Sequence, residues 1–299
     1  MYVITGATGH TGSTAAKSLL SRGQKVRVLG RNPDHLKTLA SAGAEVFVCD
    51  VTDSKRLTEA FRGADTAYLM MPPNITSSDV RAFQEQVSDS FASAVAASKL
   101  KHVVSLSSIG ADKPSNTGPV IGLHNMEQKL NKIDGINVLH LRAGYFMENT
   151  LGQAGAIRAF GKTMGPLRPD LKLPMIATRD IGAIAAEELL AKNFKGKLTR
   201  ELLGQRDIDM TEVTRILGNA ISKSDLTYVQ APDDQFQAAL IQMGMSSNMA
   251  ALLSEMSHAL NNGSMRALEP RSPRNTNPTS YETFVAEEFM PVFQQATAA

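Results

Sequence analysis

A glycine-rich turn near the start of the chain constrains its fold more than any other sequence feature. Residues 3–12 read V-I-T-G-A-T-G-H-T-G, with glycines at positions 6, 9 and 12 between a short apolar strand and a helix-like segment. Gly6 allows a sharp turn off the strand, Gly9 allows close backbone approach to a ligand, and Gly12 allows the helix to pack against the sheet. Free amides at such a helix start bind a pyrophosphate, so we predict a dinucleotide site.

The spacing of these glycines, G-x-x-G-x-x-G, is a variant of the usual G-x-G-x-x-G fingerprint. Three glycines alone also occur in ordinary strand-to-helix turns. Here the strand, the helix and the rest of a βαβ unit follow in the required order, which favours the binding interpretation. Thr8, His10 and Thr11 are then expected to add hydrogen bonds to the bound phosphates.

Strand-like and helix-like patterns alternate over the first 150 residues. Strands separated by helices of about 10–15 residues form βαβ units with a parallel sheet. We therefore predict an α/β fold in which residues 1–150 form a doubly wound parallel sheet of the Rossmann type. The predicted strands are Tyr2–Thr5, Lys25–Leu29, Glu45–Cys49, Thr66–Met71, His102–Leu106 and Asn137–Leu141.

A different pattern begins after residue 150. We predict that residues 151–299 form a smaller, mainly helical part that builds the substrate cleft, with 176–192 packing back on the Rossmann domain. Residues 161–175 are rich in Gly, Pro and Lys, which predicts a loop. Five methionines lie between residues 243 and 265. They form either a soft wall for a flat apolar substrate or an ordinary part of the core.

The end of the second predicted strand discriminates between the two nicotinamide cofactors. An NAD(H) site usually carries Asp or Glu there to bind the ribose 2′-hydroxyl, whereas this chain reads L-G-R-N over residues 29–32. Arg31 offers a permanently charged fork for a 2′-phosphate, although it also suits an exposed loop. We therefore predict NADP(H).

Asp50, at the end of the third strand, either accepts a hydrogen bond from the adenine amino group or caps the helix beginning near Thr52.

Taken together, these segments resemble the NmrA-like group of atypical short-chain dehydrogenases. The resemblance implies an NADP(H)-binding Rossmann domain and a smaller C-terminal part that forms one wall of a substrate cleft. Some relatives reduce quinones, dyes or natural-product intermediates, and others sense the nicotinamide redox state and regulate partners. The matching segments are residues 3–12, V-R-V-L-G-R-N (26–32), V-V-S-L-S-S-I-G-A (103–111), L-R-A-G-Y-F-M-E-N (141–149) and P-M-I-A-T-R-D-I-G (174–182).

The helix after the fifth strand lacks the Tyr-x-x-x-Lys pair that the wider superfamily uses for catalysis. Pro119 and Leu123 occupy the positions that the resemblance assigns to this pair. His124 follows directly, and it is either a proton-transfer group or a histidine packed on the sheet. Ser107, with Ser108, ends the fifth strand, where it either binds a substrate oxygen or caps the next turn. His124 and Ser107 are our candidate catalytic residues.

Residues after the fourth and sixth strands are expected to line the cleft. Met70 and Met71 are predicted to lie against the cofactor ribose and nicotinamide. Tyr145, Phe146 and Asn149 are predicted to contact the substrate, although core packing is the favoured interpretation for Phe146.

The composition narrows the choice of partners. Lysine and arginine number 31 and aspartate and glutamate 29, and no basic run is typical of nucleic-acid or membrane binding. The chain has one cysteine, no metal-binding motif and no apolar run of about 18 residues. We therefore expect a cytoplasmic protein that binds a small molecule but no metal, nucleic acid or membrane, and we leave a homodimer open.

Two functions follow from these features. The first is an NADP(H)-dependent oxidoreductase that reduces a quinone-like or other conjugated small molecule by hydride transfer, since the cofactor carries that chemistry. The second is an NADP(H) redox-sensing regulator without catalysis, which acts through a protein partner. The missing acid on residues 118–130 motivates the second, and the apolar C-terminal segment favours the first.

Overall fold

Seven parallel strands form the central sheet of the protein, whose computed structural model describes residues 1–295. The strands are β1 (Tyr2–Ile4), β2 (Val26–Gly30), β3 (Glu45–Val48), β4 (Thr66–Leu69), β5 (His102–Ser108), β6 (Asn137–Ala143) and β10 (Lys197–Leu202). Their order in the sheet is β10-β6-β5-β4-β1-β2-β3, so the chain starts near the middle and winds outward in both directions. This order confirms the predicted doubly wound sheet.

Helices cover both faces of this sheet because alternate residues of each strand point to opposite sides. The covering helices are α1 (His10–Ser21), α2 (Lys37–Ser41), α3 (Ser54–Phe61), α4 (Val80–Ser98), α5 (Val120–Asn131) and α7 (Thr178–Ala191). In β1, Ile4 packs in the core under α1 and α7, and Val3 packs in the core under α3, α4 and α5. The close contact of α1 and α7 follows from Gly182, where a Cβ would lie 2.6 Å from the Thr11 carbonyl oxygen.

Most of the remaining elements pack around a separate core beside the carboxyl ends of β5 and β6. Two small sheets hold this part together, one of three strands and one of two. Its strands are β7 (Tyr145–Phe146), β8 (Thr163–Gly165), β9 (Leu173–Ile176), β11 (Asp207–Ile208) and β12 (Tyr228–Gln230). Its helices are α6 (Gln153–Phe160), α8 (Met210–Ala220), α9 (Asp233–Gln242), α10 (Ser247–Asn261), α11 (Tyr281–Phe284) and α12 (Met290–Gln295), the last two joined by a π-helical turn.

The segment 161–175, predicted as a loop, contains β8 and the start of β9. That prediction was wrong because both strands are short and form only by pairing with distant partners. β8 pairs with β12, and β9 pairs with β7 and β11. Tertiary pairing therefore overrides the local Gly and Pro content.

Candidate functional site

The glycine turn links β1 to α1 in the geometry that its spacing predicts. Gly6 has a φ of +61°, where a side chain would be strained, and an added Cβ would also overlap the terminal methyl of Met70. A Cβ on Gly12 would overlap the carbonyl oxygen of Gly6 and lie 2.7 Å from its carbonyl carbon. Gly12 therefore allows the first turn of α1 to rest directly on the turn that precedes it.

Gly9 is the N-cap of α1, and no side chain in the described residues caps this helix. A Cβ on Gly9 would lie 3.4 Å from the Gly6 carbonyl oxygen and 3.8 Å from the Met70 terminal methyl, which are ordinary contacts. The space beside Gly9 is thus open to a ligand. Uncapped amides and the helix dipole at this point suit a negatively charged group such as a pyrophosphate.

The polar residues of the turn differ in exposure. Thr8 and His10 are exposed, whereas Thr11 is buried and its hydroxyl oxygen accepts a hydrogen bond from the Tyr68 hydroxyl at 3.1 Å. Thr8 is therefore near solvent, and its methyl lies beside Gly30, 3.5 Å from the position of an added Cβ. This contact brings the turn next to the end of β2.

Arg31 directly follows β2 and is exposed. Among residues 1–295, no hydrogen bond or ion pair involves its guanidinium, so the group is available to a ligand. Asp50 is exposed after β3, and its carboxylate accepts from the Thr52 amide at 2.9 Å and the Thr52 hydroxyl at 2.8 Å. The N-cap of α3 is Asp53, so the helix-capping alternative for Asp50 was wrong. Its role toward adenine stays a prediction.

An apolar cavity of about 390 Å³ lies beside the carboxyl ends of β4, β5 and β6. Its walls come from the loop 70–75, residues 106–109 and 144–146, the start of α5, and α10. None of the lining residues within the described chain is Asp, Glu, Lys, Arg or His. Five methionines line it: Met70, Met71, Met249, Met256 and Met265.

The predicted substrate residues all line this cavity. Tyr145 and Phe146 form β7, which pairs with β9, and Phe146 also packs against the main core. Asn149 is exposed. Burial raises the pKa of Tyr145 to about 12, so the phenol is neutral near pH 7.

The two candidate catalytic residues lie in different surroundings. Ser107 lines the cavity, is 2% exposed, and donates its hydroxyl to Glu127 Oε1 at 2.6 Å. His124 does not line the cavity within the described residues. Its Nδ1 donates to the Ala111 carbonyl oxygen at 2.8 Å, which ties α5 to the loop after β5.

The family model of the NmrA-like family matches residues 2–290. The chain belongs to the NmrA-like family. Curated relatives that its sequence matches are covered over only 20% to 35% of their own length.

Solved structures similar to this NmrA-like protein include reductases and a regulator. An Escherichia coli NADPH-dependent quinone oxidoreductase, solved with NADPH, is 26% identical over 97% of this chain and 100% of its own, with a TM-score of 0.79. A Citrobacter sp. triphenylmethane reductase with NADP(H) is 18% identical over 95% and 98%, with a TM-score of 0.77. NmrA, a negative transcriptional regulator solved with NADP, is 17% identical over 100% and 98%, with a TM-score of 0.68. The last two likenesses concern the fold alone.

A buried polar layer under the cavity of this NmrA-like protein escaped the sequence analysis. On one face of β5 and β6, Ser105 and Ser107 stand opposite His140 and Arg142 in the strand register. Arg142 donates to both oxygens of Glu127, at 3.0 and 2.6 Å, so Glu127 is held by an arginine and a serine. The alternation of polar residues at period two in both strands was the available signal.

His140, in this polar layer, makes the free energy of unfolding depend on pH. Its Nδ1 bonds the Ser105 hydroxyl at 2.7 Å, and its Nε2 donates to Asn131 at 3.0 Å. Burial lowers its pKa from 6.5 to about 4, so between these pH values the unfolded chain binds a proton that the folded protein excludes. We expect His140 to lower the free energy of unfolding by about 3 kcal/mol as the pH falls from 7 to 4.

Urea unfolding of the wild type and of His140→Gln at pH 7 and pH 4 measures this effect. Glutamine supplies one acceptor and one donor but does not titrate, so other groups contribute equally to both proteins. The wild type should lose about 3 kcal/mol more than the variant over this range. Equal losses would show that the imidazole is protonated inside the fold.

No helix in residues 1–295 has both the length and the apolar character needed to cross a membrane.

Proposed function

We propose that this protein is an NADP(H)-dependent reductase of uncharged, conjugated small molecules such as quinones. The observation that carries the proposal is the position of Met70. Its terminal methyl lies against Gly6 and near Gly9 of the turn, and the same residue forms part of the cavity wall. A dinucleotide bound by its pyrophosphate at the turn would therefore extend into the cavity.

The residues present fit such a cofactor. The open side of Gly9, the uncapped start of α1 and the free guanidinium of Arg31 suit a pyrophosphate and a 2′-phosphate. When bound, NADPH supplies a hydride. The chain's own part is to orient the substrate ring and exclude water, and the methionine-lined walls provide an apolar surface that adapts to a flat ring.

The uncharged lining bears on the substrate class. An anionic substrate such as a carboxylate or a phosphate would lose its hydration in the cavity without gaining a cationic partner. A neutral quinone has no such penalty. The 26% identity to the quinone oxidoreductase over nearly the full length of both chains supports the same substrate class.

Steady-state oxidation of NADPH with a panel of quinones tests the proposal. Neutral benzoquinones and naphthoquinones should be reduced, and a naphthoquinone sulfonate of similar reduction potential should be a much poorer substrate. The absence of NADPH oxidation with every neutral quinone would contradict the proposal. Equal rates with the sulfonate would contradict the part that rests on the uncharged cavity.

Replacing Arg31 with alanine tests the cofactor assignment. The guanidinium is expected to bind the 2′-phosphate by charge-assisted hydrogen bonds, so NADPH binding should weaken about 10-fold to 100-fold. NADH lacks this phosphate, and its affinity should change by less than about threefold. Calorimetry with both cofactors measures the two changes, with Arg31→Lys as a control that keeps the charge. Equal losses for NADPH and NADH would rule out the 2′-phosphate role.

A redox-sensing regulator is the second candidate, and the absence of a tyrosine from α5 favours it. A regulator of this kind must bind its protein partner with different affinities in the NADPH and NADP⁺ states, because a ligand without differential affinity shifts no equilibrium. Partner binding that is equal in both states would remove this candidate.

The cytoplasmic location of the protein stays a prediction, and a homodimer stays open.

A further inference from the structure

One wall of the apolar cavity separates it from the core beside β5 and β6. The buried residues of this wall line the cavity and also pack in that core: Ile109, Val120, Leu260 and Met265. Val120 and Leu260 lie on α5 and α10, and Ile109 directly follows β5. Met265, by contrast, follows α10 in a turn that is neither helix nor strand. A change in its side chain therefore alters the wall without altering a helix or a strand.

The side chain of Met265 lies along the backbone of Gly110. An added Cβ on Gly110 would lie 2.5 Å from the Met265 Cγ, 3.0 Å from its Sδ and 3.2 Å from its Cε. Gly110 directly follows Ile109 and has a φ of +88°, which favours glycine. The methionine side chain thus fills the space beside the end of the cavity-lining segment 106–109.

Hydrogen bonds fix the turn that carries Met265. The Met265 amide donates to the Ala259 carbonyl oxygen at 2.9 Å, and the Ser264 hydroxyl donates to the same oxygen at 3.2 Å. Met265 is 5% exposed. Its side chain is therefore held in the wall at its base, and its unbranched, flexible stem follows the surface of Gly110.

The volume of the cavity bears on the size of its ligand. At about 390 Å³, the cavity lies near the lower end of the range of about 300–1,000 Å³ that is usual for small-molecule sites. In the proposed function, the nicotinamide ring takes part of this volume. The cofactor side of the cavity is marked by Met70, next to the glycine turn, and the core side by Met265.

We propose that Met265 is a specificity-determining residue that limits the substrate to one or two fused rings. This inference rests on the proposed reductase function and names the size of its substrate. A ring system that extends from the nicotinamide toward the core side ends at Met265, because the methionine side chain occupies the space in front of Gly110. The wall cannot withdraw without losing contacts in the close-packed core behind it.

Met265→Ala, in the full-length protein, tests the proposal with two substrates. An ortho-naphthoquinone and phenanthrenequinone carry the same pair of adjacent carbonyls and differ by one fused ring. The measurement is the ratio of their kcat/KM values, which does not depend on the folded fraction of a variant. The wild type should favour the naphthoquinone. Met265→Ala should lower this preference about 10-fold or more, since one methylene group in an apolar pocket changes kcat/KM by about 10-fold to 200-fold.

Met210→Ala is the matched control. Met210 is 3% exposed and packs in the same core, but it does not line the cavity within the described residues. The preference for the naphthoquinone should therefore equal that of the wild type, although the variant is less stable. Met265→Phe keeps the wall closed and should not lower the preference. An unchanged preference in Met265→Ala overturns the proposal, and so does an equal change in Met210→Ala, which would assign the effect to the core as a whole.

A binding measurement separates this inference from the proposed function. Chromone and xanthone are neutral ketones with two and three fused rings, and the protein saturated with NADP⁺ has no hydride to transfer to them. Met265→Ala should bind xanthone about 10-fold more tightly than the wild type does, whereas the dissociation constant of chromone should change by less than about threefold. Equal affinity of the wild type and the variant for xanthone would overturn the role of Met265. If no quinone is reduced but this difference is observed, the proposed function fails and the role of Met265 in limiting ligand size stands.

Discussion

Replacing Gly9 with alanine is expected to weaken NADPH binding at least about 100-fold without lowering the stability of the free protein. The added methyl would make only ordinary contacts with Gly6 and Met70, and the backbone of Gly9, with a φ of −89°, accepts alanine. The methyl would nevertheless occupy the space that a pyrophosphate needs to approach the backbone. Calorimetry with NADPH measures the loss of affinity, and thermal unfolding without cofactor measures the stability.

Gly12→Ala is the matched control at the same turn. Its Cβ would overlap the backbone of Gly6, so α1 would have to shift and the melting temperature should fall together with the affinity. The two variants thus separate a steric block of the ligand from damage to the fold. Wild-type affinity in Gly9→Ala would show that the dinucleotide does not bind at this turn.

The sequence was sufficient for the sheet and for the glycine turn because both depend on local patterns. Alternation at period two marks the strands, and the three glycines act through backbone geometry within seven residues. For the same reason, the position of Arg31 could be predicted from the sequence, because the residue directly follows a strand that ends at Gly30.

The cavity was harder to predict from the sequence because its far wall depends on long-range packing. Two hydrogen bonds fix the start of α10 to the segment after β4. The Ser246 amide donates to the Ile75 carbonyl at 2.8 Å, and the Val80 amide at the start of α4 donates to the Asn248 side chain at 2.9 Å. Such contacts between residues about 170 positions apart have no local signature. The methionines were recognised as either wall or core, and the structure divides them: Met249, Met256 and Met265 line the cavity, whereas Met243 is 67% exposed.

Removing the carboxylate of Glu127 is expected to have the largest effect on stability. Glu127 is 1% exposed, and its only cationic partner among the residues that form its hydrogen bonds is Arg142, whose side chain is 13% exposed. Glu127→Ala would leave the guanidinium nearly buried without its ion-pair partner, which should cost about 3–5 kcal/mol of unfolding free energy. Urea unfolding at pH 7 measures this loss.

The double variant Glu127→Leu with Arg142→Met shows whether the cost comes from the isolated charge. Two apolar residues of similar volume remove the desolvation penalty together with the ion pair, so the double variant should be more stable than Glu127→Ala by about 2 kcal/mol or more. A double variant as unstable as the single one would instead indicate that shape at this position dominates. In either variant Ser107 loses its acceptor, so this loss is common to both proteins and does not affect their comparison.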